Sequence, residues 1–375
     1  MITAHADHVG SLLRPPDLLA ARAAHAHGDL DHAAFKAVED AAITDVVRLQ
    51  EEAGCPVVTD GEFRRESFQS SLTEATDGVE GVTIDAWLWG DWHSDVVGDQ
   101  RTERPAEMAV VRPLRRRRQL AAEEFTFLRS QTSRIAKITL PSPSLFANLW
   151  LAERSRDAYP TLDDFLADVV DILSDEVREL VRLGCTYIQL DAPHYPLFIE
   201  PTWREYYQGR GLSVESGVEL DNAVIAAAPE ATFGFHLCRG NQGSRWLVSG
   251  GYDAIARPVF SRIAADRLLL EYDDDRSGGF DPLSLVRGEA VVVLGLVTTK
   301  TARHETTEEL EARIHDASRL VGLERLAVGT QCGFSTSTLG NAISVEDERR
   351  KLEVIAATAD RVWGDSGRER QEVST

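Results

Sequence analysis

The stretch "FGFHLCRGN" (residues 233–241) places a histidine and a cysteine two residues apart inside an apolar run. On a strand, alternate side chains share a face, so His236 and Cys238 point one way while Phe235 and Leu237 point the other. A late cysteine, Cys332 in "GTQCGFST", and a glutamate, Glu271 in "LLLEYDDDRSG", close two further apolar runs. One imidazole, two thiols and a carboxylate form a donor set suited to tetrahedral zinc, Zn2+. Two thiolates and a carboxylate give such an ion a surplus of negative charge. That makes it a poor activator of water and a good holder of a substrate thiol in its nucleophilic thiolate form, so the residue types predict alkyl transfer to sulfur in preference to hydrolysis.

Residues this far apart in sequence need a fold that gathers them. Eight short apolar runs alternate with helical patterns: "DHVGS" (7–11), "PVVTDGE" (56–62), "IAKITL" (135–140), "TYIQLDAP" (186–193), "ATFGFHLC" (231–238), "RLLLEYD" (267–273), "AVVVLGLV" (290–297) and "RLAVGTQCG" (325–333). Between the fourth run and the one before it, residues 161–184 read as a helix with Thr161 as N-cap, acidic Asp163 and Asp164 at the positive end of its dipole, and Gly184 as its stop. Eight strand-then-helix units predict an α/β fold, a (β/α)8 TIM barrel. A doubly wound open sheet is the weaker reading because no Gly-rich phosphate loop follows the first strand. Residues 75–130 fit neither pattern: "DAWLWGDWHSD" (85–95) sets three tryptophans among turn residues, and "RPLRRRRQL" (112–120) follows. They are expected to form an insert after the second strand, over one mouth of a single barrel domain spanning 1–375. The Arg run is expected to be a solvated edge of that insert. Chemistry in such barrels sits at the carboxyl ends of the strands. Here these ends carry Ser11, Asp60, Glu62, Asp191, His236, Cys238, Glu271, Lys300 and Cys332.

Composition narrows the partners. The 375 residues are 43% hydrophobic and 27% charged, enough for a large core. Their net charge of -21, from 40 Lys and Arg against 61 Asp and Glu, repels phosphate backbones and anionic lipid headgroups, so neither nucleic acid nor a membrane is an expected partner. No apolar run is long enough to span a bilayer and the first 30 residues lack a signal peptide's apolar centre, which places the protein in the cytoplasm. Four scattered cysteines do not make a disulfide framework, and a reducing compartment leaves them free for a metal.

The segments "HVGSLLRP", "DGEFRRESF", "YIQLDAP", "FHLCRGN", "LLLEYDDDRSG", "LGLVTTKTARHETTEEL" and "GTQCGFST" resemble, in order and across almost the whole chain, the catalytic carboxyl-terminal barrel of cobalamin-independent methionine synthase. The resemblance implies that His236, Cys238, Glu271 and Cys332 bind the zinc that activates homocysteine. It implies that Glu62 and Asp191 hold the amino group of that substrate, and that the Gly10–Ser11 turn receives its carboxylate. The family's proton-passing histidine is replaced by Lys300, with His304 four residues on, and these two are the catalytic candidates. Where the family has an aromatic platform for a pteridine, "LPSPSLFANLW" (140–150) has no aligned Trp, leaving Phe146, Trp150 or the insert tryptophans as substitutes. The chain also holds one barrel where the full synthase has two. The implied function is zinc-dependent methyl transfer from 5-methyltetrahydrofolate or another methyl or alkyl donor to a thiol such as homocysteine. The alternatives are an epoxyalkane:coenzyme M transferase-like enzyme, whose thiol carries a sulfonate, and a noncatalytic zinc-binding interaction protein.

Overall fold

The computed structural model describes residues 2–83 and 88–364. Eight parallel strands form one sheet: β1 (Ala6–Asp7), β2 (Val57–Val58), β3 (Ile135–Pro141), β4 (Tyr187–Asp191), β5 (Thr232–Leu237), β6 (Arg267–Glu271), β7 (Val291–Val297) and β8 (Leu326–Thr330). Their order is β1-β8-β7-β6-β5-β4-β3-β2, each strand beside its neighbour in sequence, with β1 against β8. Just beyond the ends of β1 and β2 the circle is drawn together by Leu12 N–H donating to the Gly61 carbonyl (3.1 Å) and Thr59 Oγ1 donating to the Gly10 carbonyl (2.6 Å). This is a nearly closed TIM barrel wrapped in helices.

Strands buried on both faces explain the continuous apolar runs, and the exceptions mark the barrel interior. In β3, Ala136, Ile138 and Leu140 join the outer core against the helices, while Lys137 and Thr139 take the alternate face. Fully buried Lys137 Nζ lies 2.8 Å from Asp7 Oδ1 and 2.8 Å from Gln189 Oε1, so its charge is paired in the interior. The helix Leu162–Arg182 begins at Thr161, whose side chain accepts from Asp164 N–H in a capping box.

The insert is built from two antiparallel pairs, Thr76–Glu80 with Ala109–Arg116 and Gly90–Trp92 with Gln100–Thr102. The second is tied to the loop after β5 by reciprocal backbone bonds between His93 and Trp246 of 2.8 and 2.9 Å. Residues 122–131 are a helix packed against β3, in the outer layer of the barrel. Of the Arg run, Arg112, Arg116, Arg117 and Arg118 pair with Glu80, Asp175, Asp77 and Glu74. Among the three insert tryptophans, Trp89 and Trp92 are described, and Trp87 lies outside the described residues. No helix among the described residues is long and apolar enough to cross a membrane.

One buried carboxyl in the helix Val345–Trp363 gives stability a pH dependence. Glu348 is 1% exposed; its Oε2 accepts from Leu13 N–H at 2.8 Å, and burial, opposed only by that bond, pushes its pKa up from 4.5 to about 8. Between those pH values the folded chain holds a proton that the unfolded chain has released, so this group's contribution falls as pH rises. Glu348→Gln keeps an acceptor for Leu13 and carries no charge. Its stability relative to wild type is expected to rise between pH 5 and pH 8 by on the order of a few kcal/mol, read by thermal unfolding across that range. A constant difference would show that Glu348 does not titrate in this window.

Candidate active site and metal centre

His236 in β5, Cys238 just after it and Cys332 just after β8 converge, their ligand atoms all within 4.8 Å of one another and all three residues buried. The ring of His236 is oriented from behind: Nδ1 lies 3.1 Å from the Leu269 carbonyl of β6. A carbonyl only accepts, so Nδ1 carries the hydrogen and Nε2 keeps its lone pair. That Nε2 is buried with no hydrogen-bond partner, as a nitrogen reserved for a metal would be. The centre draws positive charge. Burial disfavours an imidazolium at 236, yet the Cys238 sulfur and the Asp191 carboxylate raise its pKa above the ordinary value. A hydrogen bond from Cys332, with His236 alongside and against the cost of burial, holds Cys238 well below the usual thiol range. The pair thus favours a thiolate at Cys238 over one at Cys332.

Glu271 ends β6 beside this group and outside the three-residue cluster. Its Oε2 accepts from Arg239 N–H at 2.5 Å, and its Oε1 lies 3.2 Å from Arg276 and 3.4 Å from Lys300 Nζ. Burial works against its charge, but Lys300, Arg276 and Arg239 outweigh it and hold the pKa at about 2. Its neighbours favour the ionised carboxylate at the rim of the cluster. The candidate Lys300 is therefore 5% exposed and directed at Glu271, while His304 is exposed and 3.0 Å from Asp347. The chain turns outward between them.

A cavity of about 640 Å³, counting its open mouth, leads from the three ligands past Glu62, Asp191 and Ser11 to Phe68, Leu88 and Trp92. Asp191 ends β4 level with His236 in β5. Its Oδ1 accepts from Gln189 at 2.7 Å, and burial, resisted by His236 and reinforced by Glu62, raises it to about 7. Glu62 sits at φ 61°, a left-handed conformation unusual for a residue with a side chain. Its Oε1 accepts from Thr139 at 2.6 Å, its Oε2 is buried without a partner, and burial raises its pKa against Arg65, Thr139 and Arg14. Two buried carboxylates with unused acceptor capacity are suited to an ammonium group. Gly10 stands behind this wall at φ 139°, where a Cβ would come within 2.9 Å of the Thr139 methyl.

The family profile described as "Cobalamin-independent synthase, Catalytic domain" matches residues 1–350. The chain belongs to this family. As a member of the cobalamin-independent synthase family it is of the methionine synthase type, which supports a methyltransferase role. It is 34% identical over 367 residues to the Bacillus subtilis "Uncharacterized protein YxjH", covering 96% of this chain and 94% of that one. It is 26% identical to the "Methionine synthase" of Pyrococcus abyssi, covering 87% and 85%. In the solved structure of a B12-independent methionine synthase from Shewanella sp. W3-18-1 in complex with selenomethionine, 22% identical, the fold superposes with a TM-score of 0.71 over 96% of this chain and 98% of that one.

Within this cobalamin-independent synthase barrel, several cavity residues escape the sequence reading. Gln69, Asn241, Gln242, Thr336 and Ser337 line the cavity from loops, where no periodicity marks them. Thr139 is different: with Lys137 it breaks the apolar pattern of "IAKITL" at a spacing of two, the mark of an inward face. Of the proposed aromatic substitutes, Trp92 lines the cavity, whereas Phe146 is buried in the core and Trp150 donates its indole N–H to the Tyr159 carbonyl at 3.1 Å.

Proposed function

We propose that this chain is a zinc-dependent S-methyltransferase of methionine biosynthesis, acting on homocysteine or a similar amino thiol. The observation that carries the reading is the buried meeting of His236 Nε2, unpartnered, with the sulfurs of Cys238 and Cys332 at one end of a cavity whose wall bears two carboxylates. Those three residues would hold zinc, with Glu271 as the fourth ligand once its oxygen turns from Lys300 and Arg276. Bound there, zinc would keep a substrate sulfur in its thiolate form at neutral pH. Glu62 and Asp191 would bind the substrate ammonium and so fix the direction in which its sulfur points. The Gly10–Ser11 turn would receive the carboxylate, with buried Ser11 at the cavity wall. Lys300 serves as a counter-charge for Glu271 rather than as a donor to substrate, and His304 takes no part. The insert, through Leu88 and Trp92, narrows the mouth and excludes water.

A sulfonate thiol of the coenzyme M kind is disfavoured, because it would meet Glu62 and Asp191 and no Lys or Arg among the described residues lining the cavity. A structural, noncatalytic zinc site is disfavoured by the cavity that opens on the ligands. The test is metal analysis of the purified protein followed by X-ray absorption at zinc. One zinc per chain is expected, with an added sulfur neighbour when homocysteine binds, and chelation should leave a folded barrel. A protein that takes up no zinc, or that unfolds on its removal, would overturn the reading.

A further inference from the structure

The residues around the cavity bear on what supplies the methyl group. Its described lining contains no Lys or Arg. The cations standing behind it are committed elsewhere: Arg14 donates to the carbonyls of Glu62, Arg65 and Ser335, Arg65 is held by Glu124 and Thr139, and Arg276 and Lys300 face Glu271. The carboxyl groups on the described wall are Glu62 and Asp191. Phe68 and Trp92 also line the cavity. Trp92 is 3% exposed and pressed onto the backbone at Gly240, where a Cβ would fall 2.8 Å from its Cζ3, so the ring is fixed in place. With the two carboxylates engaged by the substrate ammonium, the aromatic side chains and the absence of a free cation among the described lining residues are what remain to favour a positively charged donor over an anionic tail.

The supply of protons agrees with this. A donor that releases its methyl from a neutral amine nitrogen leaves an anion that must be protonated. His304 is on the surface, Lys300 faces Glu271, and the ring of His236 gives its N–H to Leu269. Glu62 and Asp191 are engaged by the substrate ammonium, and the described wall holds no Lys and no His beyond the metal-directed His236 to protonate a leaving nitrogen.

We propose that the methyl donor is a small onium compound, a methylsulfonium, seated between Trp92, Phe68 and the substrate sulfur. The proposal rests on the thiol methyltransferase reading above and names its second substrate. In the transfer, a lone pair of the substrate thiolate forms the new S–CH3 bond as the donor S–CH3 bond breaks, and the departing pair stays on the donor sulfur. An anion and a cation become two neutral thioethers, no proton moves, and the cancellation of charge is favoured in a water-poor cavity.

The experiment offers the zinc-loaded protein homocysteine and CD3-labelled donors: S-methylmethionine in one arm, 5-methyltetrahydrofolate as its mono- and triglutamate in the others. Label is expected to reach the thiol from the sulfonium at least about 100-fold faster than from either folate. In parallel, calorimetry with trimethylsulfonium on the thiol-loaded protein is expected to show binding that weakens about tenfold in Trp92→Leu and is largely kept in Trp92→Phe, as a cation–π contact requires. Transfer from a folate at an equal or greater rate overturns the proposal, as does failure of the sulfonium both to react and to bind. If homocysteine itself fails to bind in the same samples, the thiol reading falls. If it binds while the sulfonium is inert, only the donor assignment falls.

Discussion

Replacing Cys238 or Cys332 by Ser is expected to weaken zinc binding on the order of 100-fold or more and to reduce thiol methylation to background, while leaving the fold intact. Even groups that merely orient a metal ligand typically alter affinity by about 10- to 100-fold, and a hydroxyl in place of a thiolate removes the ligand itself. The two sulfurs differ before metal binds: Cys238 is drawn toward the thiolate by the hydrogen bond from Cys332 and by His236, whereas the same bond, with burial, pushes Cys332 toward its protonated form. Uptake of zinc must therefore release the Cys332 proton, and the affinity of the wild type should rise with pH more steeply than that of Cys332→Ser. Competition with a chromophoric chelator at several pH values measures both effects, with near-ultraviolet circular dichroism as the check on folding. Serine variants that kept full zinc and full turnover would remove the metal centre from the mechanism.

Much of this site is legible in the sequence because the barrel converts strand ends into neighbours. The His-x-Cys spacing of 236 and 238 requires only an extended strand, and Cys332 follows a run that pairs with β1 and β7 in the same sheet. Glu271 shows where such reading stops. A glutamate ending β6 reads as a ligand, but whether its oxygens face a metal or Lys300 and Arg276 depends on rotamers chosen by groups distant in sequence. Lys300 and His304 make the same point. They are four residues apart in one motif, yet one is buried beside Glu271 and the other is on the surface against Asp347, because the chain leaves the barrel mouth between them. The insert is the least legible part. Its tryptophans announce an aromatic cluster, but only packing decides that Trp92 lines the cavity while Trp89 packs at a tilt against Trp203 and edge-on to Tyr206.

Glu62→Gln and Asp191→Asn are expected to raise KM for homocysteine by about 10- to 100-fold each, the range that follows from losing a buried charge-assisted hydrogen bond of roughly 1.5–3 kcal/mol. The effect should vanish for 4-mercaptobutyrate, which keeps the thiol and the carboxylate and lacks the ammonium. Wild type should discriminate strongly between the two thiols, and each variant should discriminate weakly. The comparison separates recognition of the ammonium from general damage, because a distorted cavity would penalise both substrates alike. Thr139→Val should move KM for homocysteine in the same direction by a smaller factor, since Thr139 acts only by fixing Glu62 Oε1 at 2.6 Å and is itself fixed by Arg65 Nη1 donating to its hydroxyl at 3.0 Å. Thr139→Ser, which restores the hydroxyl, should recover most of the loss. If the carboxylate variants lowered turnover of both thiols equally, the two acids would be supports for the strand ends, and substrate direction would have to come from the Ser11 turn and the loop amides of Gln69 and Asn241.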